Sequence, residues 1–424
     1  MIELDRLRSE KNKIVSALKK RGLKEIDKEL SKVIELDDQR KKLKSELDKI
    51  LEESNIIAKD IGIKIRNGKK NLVDKLKKRS GELKEKSKLV SEDLKSVEIN
   101  LKDMLCNIPN IPDEIVPDGN SEDDNKIVLS KKLKLSDKIV YKPHWYLIKD
   151  FNLIDFDIGN KITGAGFPVY VNKGAKLQRA LINYFLDEAI TNGYSEVQPP
   201  ILINEESGFG TGQLPDKEGQ MYKIEDENLY MIPTAEVPIT NIYRKKIIDK
   251  DTLPIKNVAY TPCFRKEAGS WGSHVRGLNR LHQFDKVEIV QIENGNNSDK
   301  ALEEMCNYVE SLIKSLDISF RKLLLCGGDL GFTASITYDF EVYAPGQERW
   351  LECSSVSNFR TYQANRMNLK IRDGKNKILA NTLNGSALAL PRIVAAIIET
   401  HQNGKEINIP KILHKYTGFK KITL

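Results

Sequence analysis

Cys263-Phe-Arg-Lys-Glu-Ala-Gly-Ser-Trp-Gly272, continued by Arg276-Gly-Leu-Asn-Arg280 and Leu281-His-Gln-Phe-Asp-Lys-Val-Glu288, decides how the chain folds. The first piece closes a strand-like run over 256–264, and the last lies in a second run over 282–292, with a glycine-rich loop between them. Similar runs cover 167–171, 335–342 and 349–355, and 194–204 reads as extended around Pro199-Pro200. Helical patterns cover 175–192, 299–316 and 388–400. Strands outnumber helices, and several follow one another directly. That order predicts an α+β domain, an antiparallel sheet flanked by helices, in place of a doubly wound parallel sheet. A strand ending in Phe-Arg-x-Glu and a return strand with an aromatic and a carboxylate can surround a small polar ligand. Arg265 is suited to hold a phosphate or carboxylate through two parallel hydrogen bonds.

Toward the N-terminus the chain changes character. Of its net charge of +8, all lies in residues 1–108, which carry 29 Lys and Arg against 21 Asp and Glu. The same stretch has no Pro, Phe, Trp or Tyr; the first proline is Pro109 and the first aromatic is Tyr141. A globular core without aromatics is improbable, whereas a long helix needs none. Leu36, Leu43, Ile50 and Ile57 recur every seven residues, flanked by Val33, Leu47 and Ile61 and interrupted at Arg40 and Ser54. After a turn over 62–71 come Leu76, Leu83, Val90, Val97 and Met104, flanked by Val73, Leu94 and Leu101. Two such stripes predict an antiparallel helical hairpin, a coiled-coil arm with each helix on the order of 50 Å long. Its tip gathers Lys64, Arg66, Lys69, Lys70, Lys75, Lys77, Lys78 and Arg79 against Asp74 alone. Cations without aromatics point to a phosphate backbone read by shape and charge, not to stacked bases. The expected organisation is therefore 1–108 as the arm, 109–130 as a linker rich in Pro and acid, and 131–424 as the larger domain.

Several classes are excluded. No apolar run is long enough for a membrane span, and the N-terminus lacks the pattern of a signal peptide, so a cytoplasmic protein is expected. Five scattered cysteines without Cys-x-x-Cys, Cys106, Cys263, Cys306, Cys326 and Cys353, predict free thiols. There is no Gly-x-x-x-x-Gly-Lys-Ser/Thr, and Gly208-x-Gly210-x-Gly212 lacks the strand and helix of a dinucleotide fingerprint.

Two further clusters bear chemistry. Glu352-Cys-Ser-Ser355 offers a carboxylate and hydroxyls of the kind that hold Mg²⁺ with phosphate oxygens. Asn381-Thr-Leu-Asn-Gly-Ser-Ala-Leu-Ala-Leu-Pro-Arg392 is a polar strand and turn entering a helix. Arg392 near that helix start opposes the dipole, which makes sense with an anionic partner. In this order, the three clusters resemble motifs 2 and 3 of class II aminoacyl-tRNA synthetases. Together with Thr234-Ala-Glu-Val-Pro238, Gly210-Thr-Gly-Gln-Leu-Pro215 and the basic hairpin, they resemble the bacterial type of the seryl-tRNA synthetase family over essentially the whole chain.

The resemblance implies an enzyme that joins L-serine to tRNA-Ser, and to the selenocysteine tRNA, by way of ATP, Mg²⁺ and a seryl-adenylate. It implies a homodimer built through the helix near Ala175 and the strand through Pro200. Thr234, Ala235 and Glu236 would line the serine site, with Glu288 receiving the hydroxyl or amino group and Ser386 closing the pocket. Arg265 would contact both the serine and the α-phosphate, and Lys266 would belong to the ATP site. Glu267 would meet the adenine side, and Phe284 would stack on the ring with Arg392 over its other face. Arg276 and Arg392 would hold the outer phosphates, making Arg265 and Arg392 the catalytic pair. Glu352 and Ser355 would hold Mg²⁺ within an ATP-binding strand that includes Cys353 and Ser354, Cys353 pointing away. The basic tip would grip the long variable stem of the tRNA.

The sequence departs from the family pattern at Gly272-Ser-His-Val-Arg276, at Leu390-Pro391-Arg392 and at Asn365. His274 and His282 flank a loop and a strand, and neither reads as a metal ligand. A paralogue serving a carrier protein would lack the arm; a dead synthetase fold would lack the charged residues of the mechanism.

Overall fold

The computed structural model describes residues 1–68, 73–267 and 276–424. They divide into two units, Met1–Lys19 with Leu23–Pro109, and Lys20–Gly22 with Asn110–Leu424.

In the first unit the two apolar stripes are the helices Ile26–Arg66 and Val73–Asn107. Their 41 and 35 residues correspond to about 60 and 50 Å of helix at ~1.5 Å per residue. Ile50, Ile57, Leu83 and Val90 form the buried seam, with Leu43, Leu47, Ile61 and Leu76 packed against it. The turn is shorter than the 62–71 expected from the sequence, because Gly62 to Arg66 continue the first helix. A single helical glycine costs only about 1 kcal/mol. Two short helices that the stripe pattern does not reveal, Leu4–Ser9 and Lys11–Lys19, pack on this hairpin, burying Leu7, Ile14 and Leu18. Asp37 sits buried beside the stripe and takes Arg8 at 2.6 Å, Arg40 at 2.7 Å and Lys41 at 3.0 Å. Burial by itself would raise its carboxyl, but hydrogen bonds from Arg40, Arg8 and Lys41 outweigh that and hold it at about 2. Arg40, which interrupts the stripe in the sequence, is thus a partner of Asp37.

The second unit is built on an eight-stranded sheet. Its spatial order is Lys126–Lys131, Phe320–Leu324, Ile336–Ala344, Arg349–Asn358, Asn381–Ala389, Gln283–Glu293, Ile255–Phe264 and Ser195–Glu196. Every neighbouring pair is antiparallel except the last. The helices Asn172–Thr191 and Ser298–Ser315 each bury one face in a single core with this sheet, and Leu390–Thr400 is buried there nearly all round. The expected antiparallel α+β architecture is the one observed.

Two details differ from the sequence reading. Residues 109–130 end in the edge strand Lys126–Lys131, and Asn110 and Asp113 donate their backbone N–H groups to Phe332 and Ser335 at 2.9 Å. Pro109, Pro112 and Pro117 break the regular pattern there, yet side chains and distant carbonyls satisfy the backbone. Gly208 and Gly210 lie inside the helix Glu205–Thr211, which Asn204 caps at 2.9 Å through Ser207 N and Gly212 ends in the left-handed conformation. A Cβ at Gly210 would come within 2.8 Å of Asn241 and Met367, so this glycine serves close packing. All five cysteines are buried and none is in a disulfide, and no described helix is long and apolar enough to cross a membrane.

Candidate active site

The centre of the sheet and two short helices converge on one buried cluster of polar side chains. Lys286 and Glu288 are two residues apart on one strand, so the pleat puts both on the same face. The register sets Glu288 opposite Ser386 on the next strand, and Ser386 Oγ donates to Glu288 Oε2 at 3.4 Å. Thr234 and Glu236 arrive at the start of the helix Glu236–Asn241, whose Ala235 and Ile239 pack on Ala259 and Val290 of the sheet. Lys286 Nζ ties the halves together, 3.0 Å from Thr234 Oγ1 and 2.6 Å from Glu288 Oε2. Gln363, on the helix Tyr362–Met367, donates to Glu236 Oε1 at 2.6 Å and to Thr211 O at 3.1 Å. Thr382 fixes that amide by donating to Gln363 Oε1 at 2.7 Å.

The two carboxylates differ in electrostatics. Glu288 has the ammonium of Lys286 against it. Glu236 is held mainly by the Gln363 amide, and burial followed by repulsion from Glu288 pushes its carboxyl up to about 7. A buried carboxylate poised in this way suits a small ammonium ligand, and the hydroxyl of Ser386 beside Glu288 suits a hydroxyl ligand.

Beside this pocket lies a cationic wall. Arg265 directly follows its strand, donates from Nε to Pro233 O at 3.4 Å, and rests its guanidinium 5.3 Å from the centre of the Phe284 ring. Arg392, in the first turn of Leu390–Thr400, donates from Nη1 to Glu352 O at 2.6 Å and lies 3.6 Å from its carboxylate. Glu352 is exposed, whereas Cys353 and Ser354 are buried. A bulge at this point lets both neighbours turn inward: Cys353 Sγ faces Phe340 O at 3.4 Å, and Ser354 Oγ donates to Ser386 O at 2.6 Å. On the adjacent strand Asp339 stands opposite Ser355, and its Oδ1 is buried without a hydrogen-bond partner. Burial, then Glu352, pushes the Asp339 carboxyl well above the usual range, against a hydrogen bond from Ser355. Two mutually repelling carboxylates with a hydroxyl between them, one oxygen left unsatisfied, are a donor set that fits a hard divalent cation.

Residues 1–112 match the family model of the seryl-tRNA synthetase N-terminal domain. Residues 222–401 match the tRNA synthetase class II core domain (G, H, P, S and T). A serine–tRNA ligase of Salinibacter ruber is 44% identical over 426 residues, covering 100% of this chain and 99% of the relative. One from Staphylococcus saprophyticus is 40% identical with the same coverage. The crystal structure of seryl-tRNA synthetase from Pyrococcus horikoshii complexed with ATP matches at a TM-score of 0.90, with 32% identity over 100% of this chain and 99% of that one. The chain belongs to the seryl-tRNA synthetase family.

The enzyme class expected from the motifs, a serine–tRNA ligase, is that of these full-length relatives. In this synthetase the sequence-predicted residues are not all brought together. Thr234, Ala235, Glu236, Glu288 and Ser386 come together in the buried pocket, with Arg265 and Phe284 at its edge. Lys266 and Glu267 turn elsewhere: Lys266 Nζ lies over Tyr222, and Glu267, at φ 51°, pairs with Arg280. Arg276 rests on Trp145 and Tyr146. On the arm, Lys75, Lys77, Lys78 and Arg79 are exposed, with Arg79 paired to Glu53 and Glu82. Arg66 is exposed and Lys64 pairs with Asp60 at 2.6 Å. Lys69, Lys70 and the motif 2 loop positions Ser273, His274 and Val275 lie outside the described residues. His282 is hydrogen-bonded to Tyr222 OH at 2.7 Å and stacked on Phe167.

Sequence reasoning missed Lys286, Gln363, Thr211 and Asp339. Lys286 had a signal, since it stands two residues before Glu288 on the same strand face. Gln363 had none: the two groups it donates to lie 152 and 127 residues away.

Proposed function

We propose that this synthetase activates L-serine with ATP and passes the seryl group to tRNA-Ser through the residues gathered at this pocket. Support comes from one observation above all: Thr234, Glu236, Glu288 and Ser386 meet in a single buried polar pocket beside Arg265. Glu236 takes the serine ammonium, and Glu288 with Ser386 takes the hydroxyl. Alanine is rejected because those buried groups would be left unpaired. An oxygen of the serine carboxylate attacks the α-phosphorus, the bond to the β,γ-unit breaks, and pyrophosphate leaves. Arg265 faces the α-phosphate and offsets the charge that grows there, while Arg276 and Arg392 hold the outer phosphates. Phe284 and Arg392 sandwich adenine. Glu352 and Ser355 would hold Mg²⁺, which supplies charge neutralisation on the phosphates when bound. The terminal ribose hydroxyl of the tRNA then attacks the seryl carbonyl, and AMP leaves with the electron pair of the broken bond.

The arm, residues 1–108, grips the variable stem of tRNA-Ser, and of the selenocysteine tRNA, with its tip cations; residues 131–424 carry the chemistry. The enzyme works as a cytoplasmic homodimer. The test is ATP–pyrophosphate exchange with each amino acid in turn, without tRNA. Exchange with serine alone is expected. Exchange with another amino acid, or none, would overturn the assignment of the pocket.

A further inference from the structure

We propose that His144, clamped by Glu399, is a positioning residue for Arg276, fixing the backbone just after it so that the guanidinium is presented from a Trp145–Tyr146 platform. The inference rests on the reading that Arg276 contacts the outer phosphates of ATP. His144 opens the helix His144–Asp150 and is fully buried. Its Nδ1 lies 2.8 Å from Glu399 Oε1, and its own backbone N–H donates to the same oxygen at 2.8 Å. On the other side of the ring, Nε2 accepts from Leu278 N at 2.8 Å. A backbone N–H can only donate, so Nε2 carries no proton and Nδ1–H points at Glu399. The ring therefore reads as a directional link from Glu399 to the segment that follows Arg276.

Glu399 is itself a buried hub. It accepts from Gly346 N at 2.9 Å and from Gln347 Nε2 at 2.7 Å, both in the turn between the two strands that carry Asp339 and Glu352. Gln347 reaches back to the same segment, accepting from Asn279 Nδ2 at 2.8 Å. The fit at Gly277 is close: it has φ +68°, and a Cβ there would lie 2.3 Å from His144 Nε2. Only glycine meets both conditions. Next to this anchor, the Arg276 guanidinium lies 5.0 Å from the Trp145 ring centre and 5.4 Å from that of Tyr146. Three consecutive residues thus hold three consecutive residues by a hydrogen bond, a glycine contact and cation–π attraction.

The variants His144→Asn and His144→Gln separate positioning from mere packing. The Asn amide can reach Glu399 but leaves Leu278 N–H without its acceptor; the longer Gln carbonyl can stand where Nε2 was. In serine-dependent pyrophosphate exchange, His144→Asn should raise the KM for ATP about tenfold, the size expected for one buried unpaired donor. The KM for serine and kcat should stay within about twofold, and His144→Gln should recover most of the loss. Arg276→Ala alone should raise the KM for ATP, and on that background His144→Asn should add nothing. Trp145→Ala, at a half-buried position, repeats the test from the platform side if His144→Asn does not fold. Additive effects of His144→Asn and Arg276→Ala would overturn the inference while leaving the Arg276 reading intact. An unchanged KM for ATP in Arg276→Ala would overturn that reading, and the inference with it. Equal losses for serine and ATP would reduce His144 to a packing residue.

Discussion

Along the arm, the seam buries aliphatic side chains at Ile50, Ile57, Leu83 and Val90; at the pocket, the buried residues are Thr234, Glu236, Lys286, Glu288 and Gln363. The first arrangement is periodic and local, and each residue needs only an apolar neighbour. In the second, every polar group needs a partner from another element, and Glu236 is left with a carboxyl that titrates near neutrality. The difference matches the two jobs that the proposed function gives these regions. A surface that reads a long polyanion needs reach and exposed charge, whereas a pocket that tells serine from alanine needs desolvated, pre-placed polar groups.

The strongest way to break this comparison is at Arg265. Arg265→Ala should reduce serine-dependent pyrophosphate exchange by about 10²–10³-fold, the scale for loss of one pre-placed donor, with an unchanged melting temperature. Exchange within about threefold of the unaltered enzyme would remove Arg265 from its role. Acidification should act next in size. Burial and Glu288 favour the neutral form of Glu236, and only the ionised form pairs with the serine ammonium. With a carboxyl at about 7, the KM for serine should rise about tenfold between pH 8 and pH 6. Glu236→Gln should bind serine weakly and flatten that profile. A flat profile in the unaltered enzyme would mean that Glu236 is not the ammonium partner. The smallest effect is expected in the seam. Ile57→Ala should lower the local stability of the arm by about 2–4 kcal/mol, read by hydrogen exchange of the arm amides. Serine activation should be unmoved, and a parallel fall in exchange activity would refute the separation.

The same contrast explains what could be read from the sequence. The arm was legible because a seven-residue repeat reports burial directly. The sheet was legible because several strands follow one another without a helix between them. Within the stripe, Arg40 looks like a flaw until the fold pairs it with Asp37. At the site, Arg265, Glu288 and Ser386 stand in recognisable local patterns. Gln363 and Asp339 do not, since what makes them notable is a partner, or the lack of one, supplied by distant strands and helices. Lys266 and Glu267 show the converse: they share a motif with Arg265, but the left-handed backbone at Glu267 sends its side chain to Arg280.

Both steps measured on one preparation of Lys75→Ala/Lys77→Ala/Lys78→Ala test the division of labour most directly. Serine-dependent pyrophosphate exchange should stay within about twofold, while kcat/KM for charging tRNA-Ser falls about 10–100-fold and loses part of its salt dependence. An equal loss in both steps, or full charging activity, would contradict an arm that binds tRNA apart from the chemistry.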